Sequence, residues 1–296
     1  MYVDPATASA TAGYVAATET AAAAASASTA SALLLSARRK VGIVFFIELV
    51  CLLFAAIALG TPWFKLTITA TMAGTTITTT ETLWPNNKVV VCPPGSSCTT
   101  YAFSDAAVSS TEQSSLLVGA SRAALAFTAL TFILLIFILV TLFGVWRRVK
   151  VAAASVSLAP LTGVPVHFAW SLRPFTPVYT MWAVGTCSVL AWVVYLAGIS
   201  RWINANLPST LSPDTTVSKS FYGGFGLVVT LMVFNGIASW LAFMAARTVV
   251  AAEATTRHAG DHANAAATAY AVAATYAPPG ETVYVSMPAS ASGAPY

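Results

Sequence analysis

Four stretches of about twenty apolar residues, at 41–60, 122–146, 178–199 and 221–246, constrain this chain more than any other feature. A helix needs about 20 apolar residues to cross a hydrocarbon core of about 30 Å. Each stretch matches that requirement, and each is nearly free of charge. Of the 296 residues, 57% are hydrophobic and only 8% charged. Soluble domains carry about 25% charged residues, so a water-exposed surface cannot be built from this composition. The expected fold class is an all-α transmembrane four-helix bundle, with a small antiparallel β-sheet between helices 1 and 2.

Charge sets the topology. Lys and Arg number 14 against 10 Asp and Glu, a net charge of +4. The excess lies at helix ends. Arg38, Arg39 and Lys40 precede the first span, Arg147, Arg148 and Lys150 follow the second, Arg173 precedes the third and Arg247 follows the fourth. Positive residues mark the cytoplasmic side. Both termini are therefore expected in the cytoplasm of a plasma-membrane protein, with membrane lipids as partners. A nucleic-acid partner is excluded, since no aromatic-interleaved basic surface accompanies these charges. Segment 1–40 reads as an Ala/Ser/Thr-rich cytoplasmic tail. Segment 147–177 is a cytoplasmic loop lying partly against the membrane, 200–220 is a second outer loop, and 247–296 is a disordered cytoplasmic tail. The cluster Arg38-Arg39-Lys40 follows the Ala-rich run and directly precedes the first span, the order of a retained anchor rather than a cleaved signal.

The first outer loop, 61–121, has the texture of a sheet. Residues 65–70 alternate with period two, Ala73-Gly74 supplies a turn, and 75–80 are rich in β-branched residues. Segments 88–92 and 98–103 are two further strand candidates. Cys92 and Cys98 flank Pro93-Pro94-Gly95-Ser96-Ser97 and are the two cysteines outside the spans. An oxidising exterior permits a disulfide between them. The loop's many hydroxyls suit O-linked sugars, whereas no Asn-x-Ser/Thr sequon occurs in the chain.

Glu48 lies midway along the first span, too short to reach either interface. Ionisable groups at such depth are costly and often functional. Two readings stand open. Glu48 belongs to a proton or ion pathway, or, in its neutral form, it clasps neighbouring helices through Asn235, Thr128 or Ser188. Trp63 and Trp84 are the candidate contact residues of the outer loop. Tyr284 and Met287 fit the tyrosine-plus-bulky-residue pattern of an endocytic sorting signal. His258, Asp261 and His262 cluster in a tail with nothing to hold them rigid, so no metal site is assigned. No Ser/His/Asp set, paired His/Glu metal motif or phosphate loop is evident, and neither catalysis nor a cofactor is expected.

With the loop and helices assigned, residues 38–247 resemble the amastins, tetraspan surface proteins of trypanosomatid parasites. Gly60-Thr61-Pro62-Trp63-Phe64 resembles the segment that ends helix 1 in that family, and Thr82-Leu83-Trp84 its Thr-Leu-Trp signature, with Lys88 and Cys92 following. Thr79 and Thr80 stand where amastins place a cysteine, and Pro85 stands where they place glycine. The outline of Trp84, Cys92 and Cys98 also resembles the claudin-like superfamily. These resemblances imply a sheet-bearing surface protein with a structural, adhesion or host-interaction role, and with a lateral homo-oligomer or other surface proteins as partners. Proton, ion or small-solute movement through Glu48 is the alternative.

Overall fold

The computed structural model describes residues 5–72, 75–84, 88–93, 95, 97–102, 112–162, 175–206 and 214–276. Four helices and five strands follow in order. They are α1 (Pro5–Leu59), β1 (Phe64–Met72), β2 (Thr75–Leu83), β3 (Lys88–Cys92), β4 (Thr99–Ala102), α2 (Glu112–Thr162), α3 (Thr176–Asn206), β5 (Thr215–Phe221) and α4 (Gly223–Tyr276). All four helices are long and apolar enough to span a membrane. This is a four-helix transmembrane fold with a small antiparallel sheet, the claudin-like arrangement expected from the sequence.

The chain falls into two compact units. One comprises Met1–Val41, Gly144–Pro174 and Met244–Tyr296; the other comprises Gly42–Phe143 and Phe175–Phe243. The second holds α3, the sheet and residues 42–59, 112–143 and 223–243 of α1, α2 and α4. Its buried positions recur at alternating steps of three and four: Val44, Glu48, Cys51, Ala55 and Ala58 on α1, and Ala124, Thr128, Thr131, Leu135, Ile138 and Leu142 on α2. On α4 the same rhythm gives Val228, Leu231, Asn235, Ala238 and Ala242. A 3.5-residue period keeps one seam facing the neighbouring helices and gives a left-handed supercoil. The opposite faces carry large exposed apolar side chains, including Phe46 and Leu53 on α1, Ile133 and Val140 on α2, Trp182 on α3 and Val233 and Trp240 on α4. A continuous apolar exterior of this kind is incompatible with water and fits lipid.

The first unit corrects the expectation for the tails. Residues 5–40 and 248–276, read as disordered or only partly helical, are continuous with α1 and α4. Alanine has the highest helix propensity, and Pro5 stands at the first helical position, where its missing N–H costs nothing. Alanine also fills the buried seam, at Ala27, Ala30 and Ala37 on α1 and at Ala245, Ala252, Ala266 and Ala273 on α4. The Thr hydroxyls bond back into their own helices. Thr18 and Thr20 donate to the carbonyls of Tyr14 and Ala16, at 2.6 and 2.7 Å, which satisfies both hydroxyls within the helix. His262, expected in a loose tail cluster, instead meets Glu19 at 2.6 Å. Residues 163–174 of the cytoplasmic loop and Tyr284 and Met287 of the sorting pattern lie outside the described residues.

All strands of the sheet pair antiparallel, in the order β4-β3-β2-β1-β5. The four strands expected in the first loop are present. The fifth comes from the second loop, where no strand was assigned from the sequence, and pairs with β1 from Phe64↔Phe221 to Ala70↔Thr215. The loop-1 turn at Ala73-Gly74 lies outside the described residues.

Candidate functional site: the hydroxyl face and the polar seam

The sheet is tied to the helices at Trp63. Helix α1 stops at Gly60-Thr61-Pro62, where proline cannot continue the helical hydrogen bonds. The Gly60 N–H and Thr61 hydroxyl both donate to the Ile57 carbonyl, at 3.0 and 2.9 Å, closing the last turn. The chain then turns Trp63 inward. Its ring is fully buried, its indole N–H donates to the Ala58 carbonyl at 2.8 Å, and it meets Tyr195 edge-on at 4.8 Å. Its backbone joins two strands: the N–H donates to the Leu83 carbonyl at 3.0 Å, and the carbonyl accepts from Tyr222 N–H at 2.9 Å. Phe64, Leu66, Leu83, Ile199 and Phe225 complete this core.

Gly224 makes the close approach possible. A Cβ there would lie 2.5 Å from Thr61 Oγ1, 2.7 Å from the Trp63 ring and 2.9 Å from the Pro62 carbonyl. At the entrance to α4, Gly224 is thus a packing requirement, whereas a Cβ at Gly223 would meet open space.

Paired residues on antiparallel strands share a face. Phe64, Leu66, Leu83 and Val91 face the core, so the alternate residues form the other face. That face is almost entirely hydroxyl: Thr67, Thr69 and Thr71 on β1, Thr76, Thr78, Thr80 and Thr82 on β2, and Thr216, Ser218 and Ser220 on β5. Strands lie about 4.8 Å apart and same-face side chains about 7 Å apart, which makes a grid of hydroxyl and methyl groups. Thr69 Oγ1 and Thr78 Oγ1 lie 3.4 Å apart across the strands. Lys65 is the charge on this face of β1. On the core side, burial raises the carboxyl of Glu81 above its usual range; Glu81 pairs with Leu66 and Val91.

Cys92 and Cys98 form a disulfide, S–S 2.05 Å, at the β3–β4 tip. Gly95 within that tip has a φ of 72°, a left-handed conformation that favours glycine. Trp63, a sequence candidate for partner contact, is corrected: buried in the core, it cannot reach a partner. Trp84 is half-buried, and its indole N–H is shielded without a hydrogen-bond partner among the described residues.

Glu48 is fully buried on the α1 seam, and among the described residues neither carboxylate oxygen has a hydrogen-bond partner. Its expected partners are engaged elsewhere. Asn235 Nδ2 donates to the Met181 carbonyl at 2.9 Å, Thr128 to Ala124 at 2.8 Å and Ser188 to Val184 at 2.9 Å. The direct clasp read from the sequence is therefore not formed by these groups. Phe54 stacks on Phe234 at 5.9 Å, a register that places Glu48 near the level of Ser239. Ser239 Oγ, Asn235 Oδ1 and Thr131 Oγ1 also lack partners, so the seam carries several unsatisfied oxygens.

The sequence missed the β5 hydroxyls, Gly224 and Tyr195. The alternation in Thr215-Thr216-Val217-Ser218-Lys219-Ser220-Phe221 was a readable strand signal; the partners of Gly224 and Tyr195 were not readable from sequence. No protein-family model matches the chain, and no curated protein is significantly similar to it.

Proposed function

We propose that this is a multi-pass plasma-membrane surface protein that uses its sheet for structural, adhesive or host-interaction contacts. The observation that carries the reading is the hydroxyl face of β1, β2 and β5, anchored by the Trp63 core, on a sheet tipped by a disulfide. Such a surface offers many hydrogen-bond donors and acceptors at a low desolvation cost per group, which suits contact with another polar surface. In this reading both termini are cytoplasmic by the positive-inside rule, the sheet is extracellular, and lateral homo-oligomers or other surface proteins are the partners. The resemblance of Gly60–Phe64 and Thr82–Trp84 to amastins points the same way. The reading assigns no catalysis.

Sidedness is tested first. On intact cells, a membrane-impermeant maleimide should label Cys92 and Cys98 only after mild reduction. Labelling that requires permeabilised cells would reverse the topology. Contact is tested by adhesion of expressing cells to host cells or to one another. Thr69→Lys with Thr78→Lys should reduce adhesion at unchanged surface expression; unchanged adhesion would remove the face from the reading.

The unpartnered Glu48 carboxylate favours a second reading, proton or ion movement. Proton flux in liposomes that exceeds empty vesicles and falls in Glu48→Gln would support it. Background-level leak from correctly inserted wild type and variant would reject it.

A further inference from the structure

Away from the sheet and the seam, the densest chemistry is cationic. On α1, Arg38, Arg39 and Lys40 directly precede the long apolar stretch that begins at Val41. On α2, Trp146, Arg147 and Lys150 lie at the end of the apolar stretch 122–146. Two of these cations converge on one indole from different helices. The Arg38 guanidinium is 5.1 Å from the Trp146 ring centroid and the Lys150 ammonium 6.0 Å. Lys40 Nζ donates to Thr248 Oγ1 at 3.2 Å, bringing α4 to the same level. The unit's described carboxylates are Glu19, Glu253 and Asp261. Glu253 is held by Arg257 and Glu19 by His262, each at 2.6 Å. Neither neutralises the cluster.

We propose that Arg38, Trp146 and Lys150, flanked by Arg39 and Arg147, bind the phosphorylated headgroup of an anionic phospholipid. Phosphate oxygens accept charge-assisted hydrogen bonds, and guanidinium offers them in a bidentate fork. Indole rings sit at headgroup level. Several cations held against one ring repel one another until an anion joins them, which favours a headgroup with more than one phosphate over a single phosphodiester. A free phosphate or soluble inositol phosphate shares this chemistry. The lipid is the assigned source because the cations flank the apolar stretches of two helices long enough to span a membrane, where headgroups lie.

The test uses the full chain purified in zwitterionic detergent. It is titrated with dioctanoyl phosphatidylinositol bisphosphate, phosphatidylserine and phosphatidylcholine, and with inositol trisphosphate and inorganic phosphate. Binding is read by native mass spectrometry. Saturable binding is expected for the bisphosphate lipid, weaker for the serine lipid and absent for the choline lipid. A juxtamembrane cation contributes about fivefold in affinity, so Arg38→Gln with Lys150→Gln should weaken binding about thirtyfold. Lys65→Gln on the sheet removes a charge elsewhere and should change nothing. The unliganded melting midpoint reports folding of the double variant. Should that variant not fold, Arg39→Gln with Arg147→Gln, which leave the indole contacts intact, should still weaken binding at least fivefold. Equal affinity of wild type and a folded double variant, or equal binding of the choline lipid, overturns the site. Inositol trisphosphate binding as tightly as the lipid overturns the lipid assignment.

Discussion

The two units of this molecule place buried residues on their helices at similar spacing but differ in the size of the side chains that fill those positions. In the unit that carries the sheet, the core is built from Trp63, Tyr195, Phe64, Leu83 and Ile199, joined by hydrogen bonds that fix direction. In the other, no aromatic is among the buried core residues described, and alanines at 27, 30, 37, 152, 245 and 252 share the core with Leu34, Val149, Val156 and Val249. Large side chains bury more apolar area each and create one interlocked site. Alanines permit close helix approach and high propensity but few directional ties. One unit is therefore sensitive to truncation and the other to enlargement.

The sharpest break should come at Trp63. Trp63→Ala removes the largest buried side chain and the Ala58 hydrogen bond, and should cost about 3–5 kcal/mol. Unfolding followed by near-UV circular dichroism in micelles measures this, and a cost below about 1 kcal/mol would mean the sheet is not held as described. Gly224→Ala places a methyl where three atoms already stand, one of them a backbone oxygen. It should cost about 3 kcal/mol, the upper end of overpacking; a neutral result would show that the Thr61–Trp63 segment moves easily. In the alanine core the informative change is the reverse. Ala30→Leu should cost about 1–2 kcal/mol by forcing helices apart, with hydrogen exchange rising in residues 5–40 and not in the sheet. Equal stability there would mean the seam is loose.

The smallest effect concerns pH. Burial raises the Glu81 carboxyl in the folded sheet above the ordinary value of 4.5. The folded state therefore holds its proton more tightly than the unfolded chain. The associated stability is present in full below the unfolded value and is lost as pH rises through the folded one. Sheet stability should fall modestly as pH rises from 4.5, and Glu81→Gln should flatten that slope. An unchanged slope would assign the pH dependence to another group.

Much of this fold was legible in residue order. The spans were long apolar runs, and loop-1 strands 65–70 and 75–80 showed period two and β-branching. Cys92 and Cys98 bracket a proline-glycine turn short enough to be bridged. The tails were misjudged because alanine is too small to register as an apolar stripe, although Ala27, Ala30 and Ala37 form one. The site was less legible. Trp63 was recognised as special, but a lone tryptophan after a helix reads equally as interfacial or buried. Only its neighbours decide.

Sequence alone determined the membrane-spanning class and the hydroxyl-rich character of the sheet, because both follow from local composition and from periods of 3.5 and 2. Tertiary structure decided that β5 returns from a distant loop to extend the hydroxyl face. It also buried Trp63 against Tyr195 and Gly224, left the Glu48 carboxylate without a partner, and set Arg38 and Lys150 against one indole. Each of these depends on residues far apart in the chain meeting in space, and no local pattern encodes such a meeting.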